Sequence, residues 1–137
     1  MIILDSDVLS DAIRADDRVL AWLDRQPSTS IWTTTITVFE IRYGFAITPA
    51  GRRQAERQNA FERLIDEKLD GRVLPFDRPA AEAAAILMGA RHRDGRVRDS
   101  RDTMIAGIAL SQNATLATRN ARHFDDLRVP VVDPWKA

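Results

Sequence analysis

The chain has 137 residues, 45% of them hydrophobic, no cysteine, and 20 basic side chains balancing 20 acidic ones. These totals fit one domain over residues 1–137 with a single core, and they exclude a disordered chain, a disulfide scaffold and a thiolate zinc site. Zero net charge gives no overall pull toward nucleic acid, but only Lys68 and Lys136 are lysines, so nearly all the positive charge sits on arginine, the better fork for phosphate and carboxylate.

In chain order, "MIILD" is a short apolar run with a hard stop and reads as a buried parallel strand. "SDVLSDAIRADDRVLAWLDRQ" has helical spacing and ends at Pro27. "SIWTTT" reads as strand two, and "TVFEIRYGFAI" as a helix with Thr37 as its N-cap. "GRRQAERQNAFERLIDEKLDG" is predicted as one long amphipathic helix closed by Gly71. "RVLPF" is strand three, and an alanine-rich helix opened by Pro79 follows. "SRDTMIAGIALSQN" is a further helix, "ATLATRN" strand four, and "VPVV" an edge strand with Pro130 at its rim. Strands alternating with helices imply an α/β fold with a mostly parallel sheet covered on both faces. No apolar run is long enough to span a bilayer and no signal peptide is visible, so a cytoplasmic protein with no membrane partner is expected.

Such sheets place their sites at the carboxyl ends of the strands. Asp5 closes strand one directly after four apolar residues, where a structural acid is unusual. Glu40 follows strand two in the first turn of its helix, and Asp102 opens the helix "RDTMIAGIAL". Each of the last two has an ordinary alternative. Thr37-x-x-Glu40 would make a capping box, and Asp102 would suit a helix dipole, with Asp99 or Ser100 as the cap. Asp7 reads as the cap or first-turn acid of helix one, and Asp11 as a solvated residue. Gathered at one sheet edge, Asp5, Glu40 and Asp102 would repel one another until a hard cation such as Mg²⁺ or Mn²⁺ bound them. Such an ion activates water and stabilises charge on a phosphodiester.

The segments "ILDSDVLSD", "TVFEIRYG", "RDTMIAGIAL", "LATRNARHF" and "VPVVDPW", in this order and spacing, resemble the PIN-domain ribonucleases, specifically the VapC-like and FitB-like toxins of toxin–antitoxin pairs. The resemblance implies the three-layer α/β/α PIN fold and a Mg²⁺- or Mn²⁺-dependent endoribonuclease that hydrolyses RNA. It also implies a homodimer and a cognate antitoxin that blocks the site. It places the metal-binding acids at Asp5, Glu40 and Asp102, with Ser6, Thr118 and Asn120 in supporting positions. His123 stands where the family usually has an aspartate. It is either a catalytic substitute or a solvated loop residue, and Asp125 or Asp126 is an alternative replacement. Asp99 is either a supporting acid or a cap.

Two basic stretches could touch RNA or the antitoxin. Arg52, Arg53, Arg57 and Arg63 lie on the helix beginning at Gly51, where pairing with Glu56 and Glu62 is the ordinary alternative. Arg91, Arg93, Arg96, Arg98 and Arg101 lead into Asp102, where solvated loop arginines are the default. Trp22, Phe39, Tyr43 and Phe45 read as core or dimer-face residues. Two other functions remain open at this level. One is an inactive PIN domain that binds RNA or antitoxin without cutting. The other is a haloacid-dehalogenase-type phosphatase built on Asp5-Ser6-Asp7, although Leu9 and the two lysines fit that motif poorly.

Overall fold

A computed structural model describes residues 1–137. The apolar opening run becomes β1 (Ile2–Leu4), the central strand of a five-stranded sheet in the order β3-β2-β1-β4-β5. The others are β2 (Ile31–Thr34), β3 (Val73–Leu74), β4 (Thr115–Ala117) and the edge strand β5 (Val131–Val132), and every pairing is parallel. Ile3 sits opposite both Trp32 and Leu116. Side chains alternate across a strand, so Ile3 joins the core on one face and Leu4 the core on the other.

Helices cover both faces, as expected from the alternation of elements. The Leu4 side carries α1 (Ser6–Ile13), α2 (Asp17–Arg25), α3 (Thr35–Ile47) and α4 (Arg52–Arg63) around Leu9, Trp22, Leu23, Ile31 and Phe61. The Ile3 side carries α5 (Arg78–Arg93) and α6 (Ser100–Gln112) around Ile105, Ile108, Leu116 and Phe124. The chain moves outward from β1 to β2 and β3, then returns to add β4 and β5 on the other side of β1. The order therefore reverses between β1 and β4, and the crevice at their carboxyl ends is the favoured place for a site. Asp5 and Thr118 are the residues that leave those two strands. No helix is long and apolar enough to cross a membrane.

Three local expectations are corrected. The helix expected over residues 6–26 is two helices, because Ala15 turns left-handed (φ 60°) and the Asp16 carboxylate caps α2 through Arg18 N and Val19 N. A short acid that bonds the backbone ahead of it competes with helix continuation. Thr34, not Thr37, caps α3: its Oγ1 accepts from Thr37 N at 3.1 Å. The helix thus starts earlier, Glu40 falls in its second turn, and no capping box forms. The helix expected up to Gly71 ends as an α-helix at Arg63, runs through a π turn at Leu64–Lys68, and leaves by Asp70 and Gly71, both at positive φ.

On the second face, α5 and α6 pack backbone to backbone. A Cβ on Gly107 would stand 2.5 Å from the Ala80 carbonyl oxygen and 2.6 Å from the Ala84 Cβ. Gly107→Ala is expected to destabilise the fold by about 1–3 kcal/mol through forced separation of the helices. Urea unfolding measures this, and an unchanged midpoint would mean that the contact is not close in solution.

Candidate metal-binding active site

Asp5 is placed by the end of β1 and held as the N-cap of α1. Its Oδ1 accepts from Ser6 N at 2.8 Å, and its Oδ2 accepts from Thr118 Oγ1 at 2.8 Å. Thr118 Oγ1 in turn accepts from Asn120 N at 3.1 Å. Thr118 and Asn120 thus shape the turn after β4 around the Asp5 carboxylate. Asp99 caps α6, accepting from Arg101 N and Asp102 N, and this fixes the first helical turn that carries Asp102. Arg101 Nε lies 3.6 Å from Asp99 Oδ1 and 4.0 Å from Glu40 Oε2, joining α6 to α3. His123, in the short helical turn Ala121–Phe124, places Nδ1 3.8 Å from Asp102 Oδ2.

The electrostatics show crowding. Asp5 is 3% exposed, and burial, then the charge of Asp7, push its carboxyl up to about 7 against the hydrogen bonds from Thr118 and Ser6; Asp102 adds to the rise. Asp7 is raised by burial. Burial also raises Glu40, with Arg101 opposing and Asp102 and Asp99 adding to the effect. Asp102 is raised by burial and by Asp99, against His123, Arg91 and Arg101. Asp5 and Glu40 both feel Asp102, so acids from β1, α3 and α6 share one field.

The donor set fits a hard divalent cation. Glu40 Oε1 and Asp7 Oδ1 are buried without a hydrogen-bond partner. A buried acceptor left unsatisfied carries its full desolvation cost, which a cation at this point would relieve. All the carboxylate donors are oxygen, the class that Mg²⁺ and Mn²⁺ take. As placed here, no three acid or histidine side chains stand close enough together to hold a metal ion, so binding one would draw the carboxylates inward.

The PIN domain family model matches residues 2–130. The chain belongs to the PIN domain family. Over 138 residues, 99% of each chain, this PIN domain is 38% identical to the VapC ribonuclease Y4jK of Sinorhizobium fredii. It superposes with a TM-score of 0.85 on the crystal structure of FitAcB from Neisseria gonorrhoeae, at 34% identity over the full length of both chains. It also matches a chain from the structure of FitAB bound to IR36 DNA fragment, with a TM-score of 0.87 and 33% identity, covering 98% of this chain and 96% of that one. Nothing in these relationships favours the phosphatase reading of Asp5-Ser6-Asp7.

Some side chains of this PIN domain do something other than expected from sequence. Asp7 is more than a first-turn acid. Its Oδ2 accepts from Arg119 N at 3.1 Å and Asn120 Nδ2 at 3.3 Å, and lies 3.4 Å from Thr118 Oγ1. The signal was available: an acid two residues past a strand-end acid, on the helix that the strand feeds. Arg91 is not a solvated loop arginine but a buried member of α5. Ala80, Ala84, Leu87 and Arg91 are the buried positions of that helix, a helical spacing that puts the arginine on the core face. Asp126 is held by the buried Arg91, and Asp125 pairs with Arg96 at 3.2 Å on the surface. Arg52 pairs with Glu56 at 3.3 Å as anticipated, while Glu62 pairs with Arg42 instead. Arg98 is partly buried, with its Nε unpartnered.

Proposed function

We propose that this chain is a divalent-metal-dependent endoribonuclease and the toxin of a toxin–antitoxin pair. The observation that carries the reading is the gathering of Asp5, Glu40 and Asp102 from three elements into one field, with Glu40 Oε1 buried and unpartnered. In this reading Asp5, Glu40 and Asp102 hold Mg²⁺ or Mn²⁺. When bound, the ion supplies an acidified water and neutralises charge developing on the phosphodiester. The chain's own residues do the rest. Ser6, Thr118 and Asn120 fix the Asp5 carboxylate, Asp99 fixes Asp102, and Arg101 holds Glu40 in place. His123, beside Asp102, can take a proton from water or give one to the leaving oxygen. Hydrolysis adds water across the P–O bond: the water oxygen joins phosphorus, the ester P–O bond breaks, and a proton from the water goes to the departing oxygen, which leaves as a hydroxyl.

The test is incubation of the purified chain with mixed RNA, in Mg²⁺, in Mn²⁺ and in chelator. Cleavage is expected only with metal, and Asp102→Asn should slow it by about 10²–10³, the cost of losing one electrostatic contact to a transition state. Cleavage of equal rate in chelator would rule out the metal mechanism. RNA binding with no cleavage in either metal would leave the inactive PIN reading, which His123 in place of an acid favours.

The relatives VapC and FitB, and the FitAB complexes, support an antitoxin as partner. A second copy of this chain is proposed as the other partner. Phe39, Tyr43 and Ile47 recur at helical spacing along α3, 57%, 51% and 66% exposed, and the rings of Phe39 and Tyr43 stack at 6.3 Å. Such a stripe is worth burying. Tyr43→Glu is expected to turn a dimer into a monomer by light scattering; a monomeric wild type would end the dimer proposal.

A further inference from the structure

A cavity of about 580 Å³ opens beside Ser6 and Glu40 and runs away from the acids between α1, α3 and the start of α4. Its volume lies within the range of small-molecule sites. Four cations line it, Arg14, Arg52, Arg53 and Arg57, against a single acid, Glu40, at its inner end. Arg14 is shared with Asp11 at 3.6 Å and Arg52 with Glu56 at 3.3 Å, both near solvent. Arg53 and Arg57 make no ion pair or side-chain hydrogen bond, although Arg57 is half-buried. Arg52 and Arg53 in the first turn of α4, with Arg57 one turn further on, place positive charge at the end of the helix whose dipole disfavours it. Gly51, the cap residue, offers no side chain to the first N–H groups of that helix. The occupant favoured by this lining is an anion.

Two more features define its shape. Ile13, Ile41 and Phe45 supply the apolar part of its lining. Gly44, in the interior of α3, weakens that helix relative to alanine. A Cβ there would meet nothing within 4 Å, so the absent side chain leaves the cavity open rather than relieving a clash. Charged and apolar surface in one cavity is what a single-stranded nucleic acid needs, phosphates on arginine and a base on an apolar or aromatic face. We propose that this cavity receives the unpaired RNA nucleotide next to the scissile phosphate, its phosphate held by Arg52, Arg53 and Arg57 and its base against Ile41 and Phe45. The proposal rests on the RNA-cleaving reading above and adds where the strand runs.

The experiment measures binding, not turnover. A fluorescein-labelled ten-nucleotide RNA of mixed sequence is titrated with the full chain in chelator, and anisotropy is read over a range of salt. Arg53→Ala/Arg57→Ala is expected to bind roughly tenfold more weakly and to flatten the salt dependence by about 0.7 per arginine. Gly44→Leu, whose Cβ meets nothing within 4 Å and whose side chain would occupy cavity space, should weaken binding comparably while leaving the salt dependence unchanged. Arg78→Ala, an exposed arginine of α5 paired with Glu82, is the control and should bind as wild type. Circular dichroism checks folding of each variant. Wild-type RNA affinity in either cavity variant overturns the proposal, even if the wild-type enzyme cuts RNA. If the double variant keeps RNA but loses a labelled deca-glutamate peptide, the cavity is a protein-docking site instead. A wild-type chain that neither binds nor cuts RNA removes the ribonuclease reading along with this one.

Discussion

Asp5→Asn is expected to stop RNA cleavage and, in chelator at pH 8, to raise the thermal midpoint of the protein by several degrees. The cleavage loss follows from removing the best-buried of the three proposed ligands. The stability gain follows from the same burial. Asp5 is 3% exposed and its carboxyl is pushed up to about 7 by burial and by Asp7. Below about pH 4 the group is protonated in both folded and unfolded chains. Between there and about 7 the folded protein keeps a proton that the unfolded chain has released. The stability linked to Asp5 is therefore fully present at low pH and is lost as pH rises through about 7. Asp7, Glu40 and Asp102 are raised as well and add loss of the same sign. Asparagine keeps an acceptor for Ser6 N and meets a Thr118 hydroxyl able to turn and accept, so the local hydrogen bonds survive. At roughly 4 °C per kcal/mol for a domain of this size, the gain is readily measured. Mg²⁺ or Mn²⁺ should raise the wild-type midpoint at pH 8, since a ligand of the folded state stabilises it by mass action, and should do much less for the variant. A variant melting at or below wild type in chelator at pH 8 would show that Asp5 carries no stored repulsion.

Asp126→Ala is expected to lower stability by about 1–3 kcal/mol, less than for a fully buried pair because Asp126 itself reaches solvent, yet a sizeable part of the 5–15 kcal/mol typical of a domain. The cause is its partner. Arg91 is 2% exposed and donates Nε to Asp126 Oδ2 at 2.8 Å and Nη2 to Asp126 Oδ1 at 2.9 Å. It also donates Nη1 to Thr103 Oγ1 at 2.9 Å and Nη2 to the His123 carbonyl at 3.0 Å. Removing the acid leaves a buried guanidinium without its counter-charge. The hydrogen bonds from Arg91 hold the Asp126 carboxyl below the usual carboxylate range, so this contribution is present above that range and lost as pH falls through the lowered value. Arg91→Met/Asp126→Leu should recover much of the loss, because an apolar pair of similar volume replaces both charges. Denaturant unfolding of the three proteins measures the effect; a single variant within about 0.5 kcal/mol of wild type would mean that Arg91 finds water instead. The same arginine grips the residue after Asp102 and the carbonyl of His123. The single variant should therefore also loosen the proposed site, seen as weaker stabilisation by added metal.

The order of strands and helices could be read from sequence because buried parallel strands and amphipathic helices carry their own periodicities. "MIILD" ends on an acid because β1 ends there, and Pro79, Asn113 and Pro130 mark boundaries by backbone chemistry alone. Asp5, Glu40 and Asp102 could be nominated because each follows a strand or opens a helix, the places that a parallel sheet brings to one edge. Where hydroxyls and short acids cluster, local rules conflict. Several threonines between Thr33 and Thr37 could each cap α3, and only the path of the chain leaving β2 selects Thr34 and moves Glu40 off the cap. Asp7 and Arg91 show the deeper reason. Their partners, the turn at Thr118–Asn120 for one and Asp126 with the His123 carbonyl for the other, are dozens of residues away. Periodicity reports which face a side chain takes. Which distant charge waits on that face is decided when β4 docks beside β1 and α5 closes on α6, and so is the open cavity beside Glu40.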